Sequence, residues 1–242
     1  MSTADYPEKI LKVLENARAD NAAAVARVAE LTRKTVDGGG LVFVFGSGHS
    51  SILAEEAFHR AGGLIPVYPI LHDFLTPHVS PKIAGKLERV EGIAEVLFAR
   101  SGAGNKDMMW IASNSGINAA SIEMALACGK NGVATVALTS LSHSKSVTSR
   151  HSSGKRLFEL CDVVLDNHCP QGDALAEVGG VRVAPSSTIA NSFIYNWALV
   201  EACKLWARDG KNLPIYRSAN VPGGDAHNEQ AEASYRPRIP LL

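Results

Sequence analysis

The sequence predicts an α/β fold built on a parallel sheet, and three observations carry that prediction. Apolar runs of β-forming residues recur at 41–45, 108–112 and 133–138. Each enters a turn rich in glycine or hydroxyl side chains: Gly46-Ser-Gly-His-Ser-Ser51, Ser113-Asn-Ser-Gly116 and Thr139-Ser140. Helical runs follow the first two turns, at 52–61 and 118–130, and 242 residues suit a single α/β domain with embellishments.

Along the chain, Ile10, Leu14, Ala17, Ala24, Val28 and Leu31 recur every three, four or seven residues, which predicts one long helix or two abutting ones over residues 6–35, ended by Asp37-Gly-Gly-Gly40. This helix precedes any strand, so it either packs on a second subunit or covers its own sheet. After the strand at 41–45 and the helix at 52–61, Gly62-Gly63 breaks the pattern. Residues 65–70 then read as a short edge strand, the place where prolines are tolerated. Residues 71–85 are irregular and contain His72, Asp73 and His78, whose spacing fixes no ligand geometry, so no metal is assigned. Leu87, Val90, Ile93, Ala94 and Leu97 form a helical stripe, and residues 101–105 a turn. Residues 142–151 are a polar stretch with two histidines, Lys145 and Arg150, either a solvated loop or a lid and second anion contact. Residues 162–165 read as a strand and 167–180 as a loop with His168, Asp173 and Glu177. Residues 187–206 are almost continuously apolar, as in a helix buried on more than one face, and 214–242 form a tail that wraps a surface.

The strand-turn-helix unit at 41–61 is the kind on which anions bind, because the first amides of a helix have no intrahelical acceptor. It is neither a dinucleotide fingerprint, since Ser51 stands at the sixth position, nor a P-loop, since no Gly-Lys-Ser/Thr follows. Three such strand ends lie on one edge of a parallel sheet and converge on one crevice, and Ser186-Ser187-Thr188 opens another helix. The expected anion contacts are Gly46, Ser47, Gly48, His49, Ser50, Ser113, Asn114, Ser115, Thr139, Ser140, Ser186, Ser187 and Thr188. Lys plus Arg and Asp plus Glu number 24 each, so no overall field holds nucleic acid or an anionic membrane, and the anion must be bound locally. Cys128, Cys161, Cys169 and Cys203 show no Cys-x-x-Cys spacing and read as reduced, buried thiols of a cytoplasmic protein. No run approaches the length of a membrane span, and the amino terminus is no signal peptide.

In this order, Gly46-Ser-Gly-His-Ser50, Ser113-Asn-Ser-Gly116, Val136-Ala-Leu-Thr-Ser140 and Ser186-Ser-Thr188 resemble the sugar isomerase (SIS) domain. Ile111-Ala-Ser-Asn-Ser-Gly116, Arg150-His-Ser-Ser-Gly-Lys-Arg156, Gly172-Asp-Ala174 and Ser218-Ala-Asn-Val-Pro-Gly-Gly224 look like its UPF0309 group. The resemblance covers nearly the whole chain. It implies one domain over 1–242, with a helical arm at 1–40 and a tail at 214–242, as a three-layer αβα sandwich on a five-stranded parallel sheet. It also implies a small anionic sugar as partner, a homodimer or homotetramer, and no cofactor. SIS isomerases use a glutamate on the helix after the first turn, and the likeness to the phosphoheptose isomerase group points to Glu56 as base, with Glu55 the alternative. The partner histidine of that group has no match at 191–196, so His59, three residues from Glu56 on a continuous helix, is the expected acid. The reaction so implied is aldose–ketose isomerisation through an enediol. A non-catalytic sugar-phosphate-binding regulatory protein and an etherase-like lyase are the alternatives.

Overall fold

A computed structural model describes residues 6–242; the first five residues of the expected amino-terminal arm lie outside the described residues. Five parallel strands, β1 (Val42–Gly46), β2 (Val67–Ile70), β3 (Met108–Ala112), β4 (Ala134–Thr139) and β5 (Val163–Asp166), form one sheet in the order β2-β1-β3-β4-β5. The helices are α1 (Tyr6–Asp37), α2 (Ile52–Ala57), α3 (Pro81–Leu87), α4 (Ile93–Ser101), α5 (Ala119–Lys130), α6 (Leu141–Lys145), α7 (Ser187–Arg208) and α8 (Gly224–Glu232). Side chains alternate across each strand, so successive residues serve two cores. Val42, Val44, Trp110 and Leu138 pack under α1, α2 and α7, with the Trp110 ring edge-on to Tyr195 at 5.1 Å. Phe43, Phe45, Met109 and Ile111 pack under α4, α5 and Ile239 of the tail. This is the α/β fold on a parallel sheet that the sequence predicts, in the three-layer, five-stranded form that the resemblance implies.

α1 covers its own sheet. Val13, Ala17, Asn21, Val25 and Val28 make its buried face, which lies along α7 and β5. The Asn21 amide donates to the Asp166 carbonyl and accepts from the Asp166 amide, at 2.8 and 2.9 Å, which satisfies part of the open edge of β5.

Three segments depart from expectation. The helix expected over 52–61 ends at Ala57: Phe58 is extended and His59 takes φ 45°. The tail is responsible, because the Gly62 amide donates to the Tyr216 carbonyl and the Tyr216 amide to the Gly63 carbonyl, drawing the chain out of helix. The stripe at 87–97 is split, since Gly92 at φ 94° ends the turn after α3 and the Glu123 carboxylate accepts the Gly92 and Ala94 amides that start α4. The expected loop at 167–180 contains β6 (Ala174–Val178), which pairs antiparallel with β7 (Val181–Pro185) across Gly179-Gly180, both at positive φ as a two-residue hairpin requires.

Candidate functional site

The strand order reverses between β1 and β3, so the crevice at their carboxyl ends is where an open α/β sheet takes a ligand. Gly46 ends β1 in a turn so tight that a Cβ there would lie 2.3 Å from the Ser50 carbonyl oxygen. A short turn of 3-10 helix, Gly48–Ser51, then leads into α2. In that turn Ser51 is buried and donates to the Gly48 carbonyl, while Ser47 donates to Glu88 Oε2 at 2.9 Å. His49 is exposed, and Ser50 is half-buried with no side-chain hydrogen bond among the described residues.

The β3 loop repeats this division. Ser113 is buried, with its hydroxyl accepting the Gly116 amide at 3.2 Å, and Gly116 takes φ 62° against Ser144, Leu157 and Thr139. The Asn114 carbonyl accepts from the Thr139 hydroxyl, and its side chain accepts from Asn167 at 2.9 Å. Ser115 is half-buried and, like Ser50, makes no side-chain hydrogen bond among the described residues.

Two of the expected hydroxyl clusters are closed from within. Thr139 and Ser140 are fully buried, and Ser140 donates to the Cys169 carbonyl at 2.6 Å while capping α6 through the His143 amide. At the start of α7 the Asp173 carboxylate accepts the amides of Ser186 and Ser187 and both their hydroxyls, at 2.7–3.1 Å. An internal carboxylate therefore stands where the sequence suggests an external anion, and only Thr188 of this trio is exposed.

The proton-transfer candidates separate as well. Glu55 is exposed and has no side-chain partner among the described residues, whereas Glu56 is half-buried and paired with Arg60. Burial first, and then the negative charge of Glu56, push the Tyr195 phenol upward. His59 does not share a helical face with Glu56: past the end of α2, its ring lies 4.9 Å from Tyr216 and its Nε2 3.1 Å from Glu232 Oε1. A cleft of about 670 Å³ lined by His49, Ile52, Glu55, Pro77 and His78, and one of about 400 Å³ lined by Glu55, Glu56 and Arg60, adjoin this helix. His72 stacks on Phe74 and His78 lies 3.9 Å from Asp73, but His72, Asp73 and His78 form no three-ligand cluster among the described residues.

Sequence reasoning missed Glu88, Asn118 and the inward role of Arg150. The Asn118 side chain donates to Glu88 Oε1 at 2.9 Å and accepts from Arg150 at 3.0 Å, so a chain of polar groups runs from the 150–153 loop to Ser47. Asn118 was findable as the residue before a helix start. Glu88 was not, because its contact with Ser47 joins residues 41 apart along the chain. The Glu88 carboxylate also engages the Ser47 hydroxyl and places a negative charge on that side of the turn.

The SIS domain model matches residues 5–140. The UPF0309 protein of Geobacillus kaustophilus is 40% identical over 239 residues, which cover 98% of this chain and 95% of that protein. The UPF0309 protein of Geobacillus thermodenitrificans is 41% identical over 242 residues, 98% and 96% of the two chains. Among solved structures, phosphoheptose isomerase from Neisseria gonorrhoeae superposes with a TM-score of 0.55 at 18% identity, over 80% of this chain and 93% of that one, a likeness of fold. With a matching domain model over more than half its length and such relatives along nearly all of it, this chain belongs to the SIS domain family and, within it, to the UPF0309 group.

Proposed function

We propose that this protein binds a small phosphorylated or sulfonated sugar at the β1/β3 crevice and interconverts its aldose and ketose forms. One observation carries the reading: Ser50 and Ser115, on the two loops that flank the strand reversal, are the half-buried hydroxyls of this edge that have no internal partner among the described residues. Hydroxyls and the amides opened by Gly48 suit a tetrahedral oxyanion. The Glu88 charge favours an anion seated toward Ser50 and Ser115 rather than on Ser47. Membership of the SIS family and the fold shared with a phosphoheptose isomerase support a phosphosugar as the ligand class.

In the reaction so read, a carboxylate takes the proton from C2 of the aldose to give an enediol and returns a proton to C1, while an acid group exchanges protons with the two oxygens. Glu56 is the base and Glu55, which lines both clefts beside α2, is the alternative. The acid role of His59 requires its release from Glu232, and His49 is the exposed imidazole at the turn itself. The working unit is one SIS domain over 1–242, with the arm at 1–40 and the tail at 214–242. It acts as a homodimer or homotetramer in the cytoplasm, without a cofactor. No helix among the described residues is long and apolar enough to cross a membrane.

The test is solvent exchange. Phosphorylated and sulfonated hexoses, pentoses and heptoses are screened for thermal stabilisation, since a ligand of the native state raises the melting temperature. Each binder is then incubated in deuterium oxide. The wild type should place deuterium at the carbon next to the carbonyl, and Glu56→Gln should retain binding while losing exchange. The pairings of Glu56 with Arg60 and of His59 with Glu232 favour a second reading, a non-catalytic sugar-phosphate sensor. Binding with no exchange from any candidate sugar establishes that reading instead.

A further inference from the structure

We propose that Glu91, Glu123 and His151 form a binding site for one divalent first-row transition-metal ion. His151 belongs to the run Arg150-His-Ser-Ser-Gly-Lys-Arg156, which the anion site does not use. Its side chain is only 8% exposed, and Nε2 lies between two carboxylates, 3.8 Å from Glu91 Oε2 and 3.9 Å from Glu123 Oε1. One ligand atom from each residue lies within 4.8 Å of the others, and no other group of three such residues does so among the described residues.

The spacing is what distinguishes this trio from an ion pair. An imidazolium and a carboxylate that bond directly close to about 2.8 Å, whereas around an ion with bonds of about 2.1 Å the ligand atoms of a tetrahedron stand about 3.4 Å apart. The two imidazole–carboxylate distances, 3.8 and 3.9 Å, are nearer the second value, and all three ligand atoms lie within 4.8 Å of one another. Each ligand is also held by neighbouring hydrogen bonds. Glu91 accepts from the Ser152 amide at 2.7 Å and the Ser152 hydroxyl at 2.8 Å, and Glu123 accepts the Gly92 and Ala94 amides. His151 Nδ1 lies 2.8 Å from the Ser153 hydroxyl. Donation from Nδ1–H to that hydroxyl leaves the Nε2 lone pair free for the ion, the outer-shell arrangement that orients imidazole ligands. The Ser153 amide donates to Nδ1 at 3.1 Å, which requires the other tautomer, so metal binding would exchange that bond for donation from Nδ1–H to the hydroxyl.

One imidazole with two carboxylates suits Zn²⁺, Co²⁺ or Mn²⁺ better than Ca²⁺ or Mg²⁺, which prefer all-oxygen shells. Glu91 is 43% exposed, which gives the ion a path and leaves room for water as a further ligand. The ion would join the 150–153 loop to α5 and to the turn after α3, the same segments that Arg150, Asn118 and Glu88 link to Ser47.

Tag-free protein dialysed against chelator is titrated with Zn²⁺ by calorimetry and with Co²⁺ by visible absorption. The expected result is one equivalent per chain, a protein-bound Co²⁺ spectrum and a raised melting temperature. His151→Asn should abolish the site with the fold intact by circular dichroism, and Ser153→Ala should weaken binding about ten- to a hundredfold. Absence of saturable binding to the wild type, or equal binding by His151→Asn, overturns the proposal. If His151→Asn does not fold, full-strength binding by both Glu91→Gln and Ser153→Ala overturns it.

Discussion

At the residue scale, what separates the hydroxyls of the carboxyl edge is their existing partners. Ser115 and Ser47 look equivalent as serines in glycine-bounded turns, yet only Ser47 already donates to a carboxylate. Ser115→Ala should therefore weaken binding of a phosphorylated sugar by about 1.5–3 kcal/mol, one hydrogen bond to a charged group. Ser47→Ala should change it far less, because the lost bond is internal. Calorimetry on both variants with one ligand checks the contrast, and unchanged affinity in Ser115→Ala and Ser50→Ala together would remove the proposed site. Gly46 is a sharper case. A methyl group 2.3 Å from the Ser50 carbonyl oxygen cannot be accommodated without moving the turn, so Gly46→Ala should cost about 1–3 kcal/mol in a denaturant titration and abolish ligand binding with it. The thiols are a quieter residue-scale feature: burial pushes Cys128, Cys161 and Cys169 up to about 12, so they are protonated and unreactive at neutral pH.

At the element scale, α1 is held to α7 by packing along its length and by polar contacts at its end. There Asp37 accepts from Trp206 Nε1 at 2.9 Å and from Lys211 Nζ at 2.8 Å. The Lys211 hydrogen bond holds the Asp37 carboxyl below the usual carboxylate range, opposed by desolvation and helped by the Trp206 bond. A carboxyl depressed in the folded state contributes stability in full above its unfolded pKa, and that contribution is lost as the pH falls through the folded value. Asp37→Asn keeps an acceptor for Trp206 and removes the charge. Its deficit against the wild type should be present at neutral pH, under about 1 kcal/mol because the pair is partly solvated, and should shrink as the pH falls below the usual carboxylate range. Melting temperatures measured at both pH values check the sign, and a deficit that grows on acidification would contradict it.

For the whole molecule, two exposed apolar surfaces are the candidate contacts of the proposed homodimer or homotetramer. The hairpin β6–β7 is a two-stranded ribbon, marginal by itself, and it exposes Val178, Val181 and Val183. Between α1 and α7 runs a groove of about 800 Å³ lined by Ala19, Ala22, Phe193, Trp197 and Val200. The proposed homodimer or homotetramer should sediment at a multiple of 25.7 kDa at micromolar concentration, and Val181→Lys with Val183→Lys should shift the distribution toward monomer if the hairpin is in the contact. A wild-type monomer under these conditions rules the assembly out.

The parallel sheet and the sequence of its strands along the chain were legible in the residues, because apolar runs and their turns are written locally; the three-layer, five-stranded form was what the SIS resemblance implied. Runs such as Phe43-Val-Phe45 and Met109-Trp-Ile111 are short and apolar at every position, as in strands covered on both faces. The strand-end turns were legible for the same reason, since Gly46 and Gly116 answer to local backbone geometry. Tertiary structure decided which side chains remain available to a ligand. Asp173 closes the start of α7 from 13 residues away and Glu88 reaches Ser47 from 41 away. Tyr216, far along the tail, ends α2 before His59. A hydroxyl's partner depends on distances that spacing along the chain does not encode, so the sequence could place the edge of the sheet but not the donors left free on it.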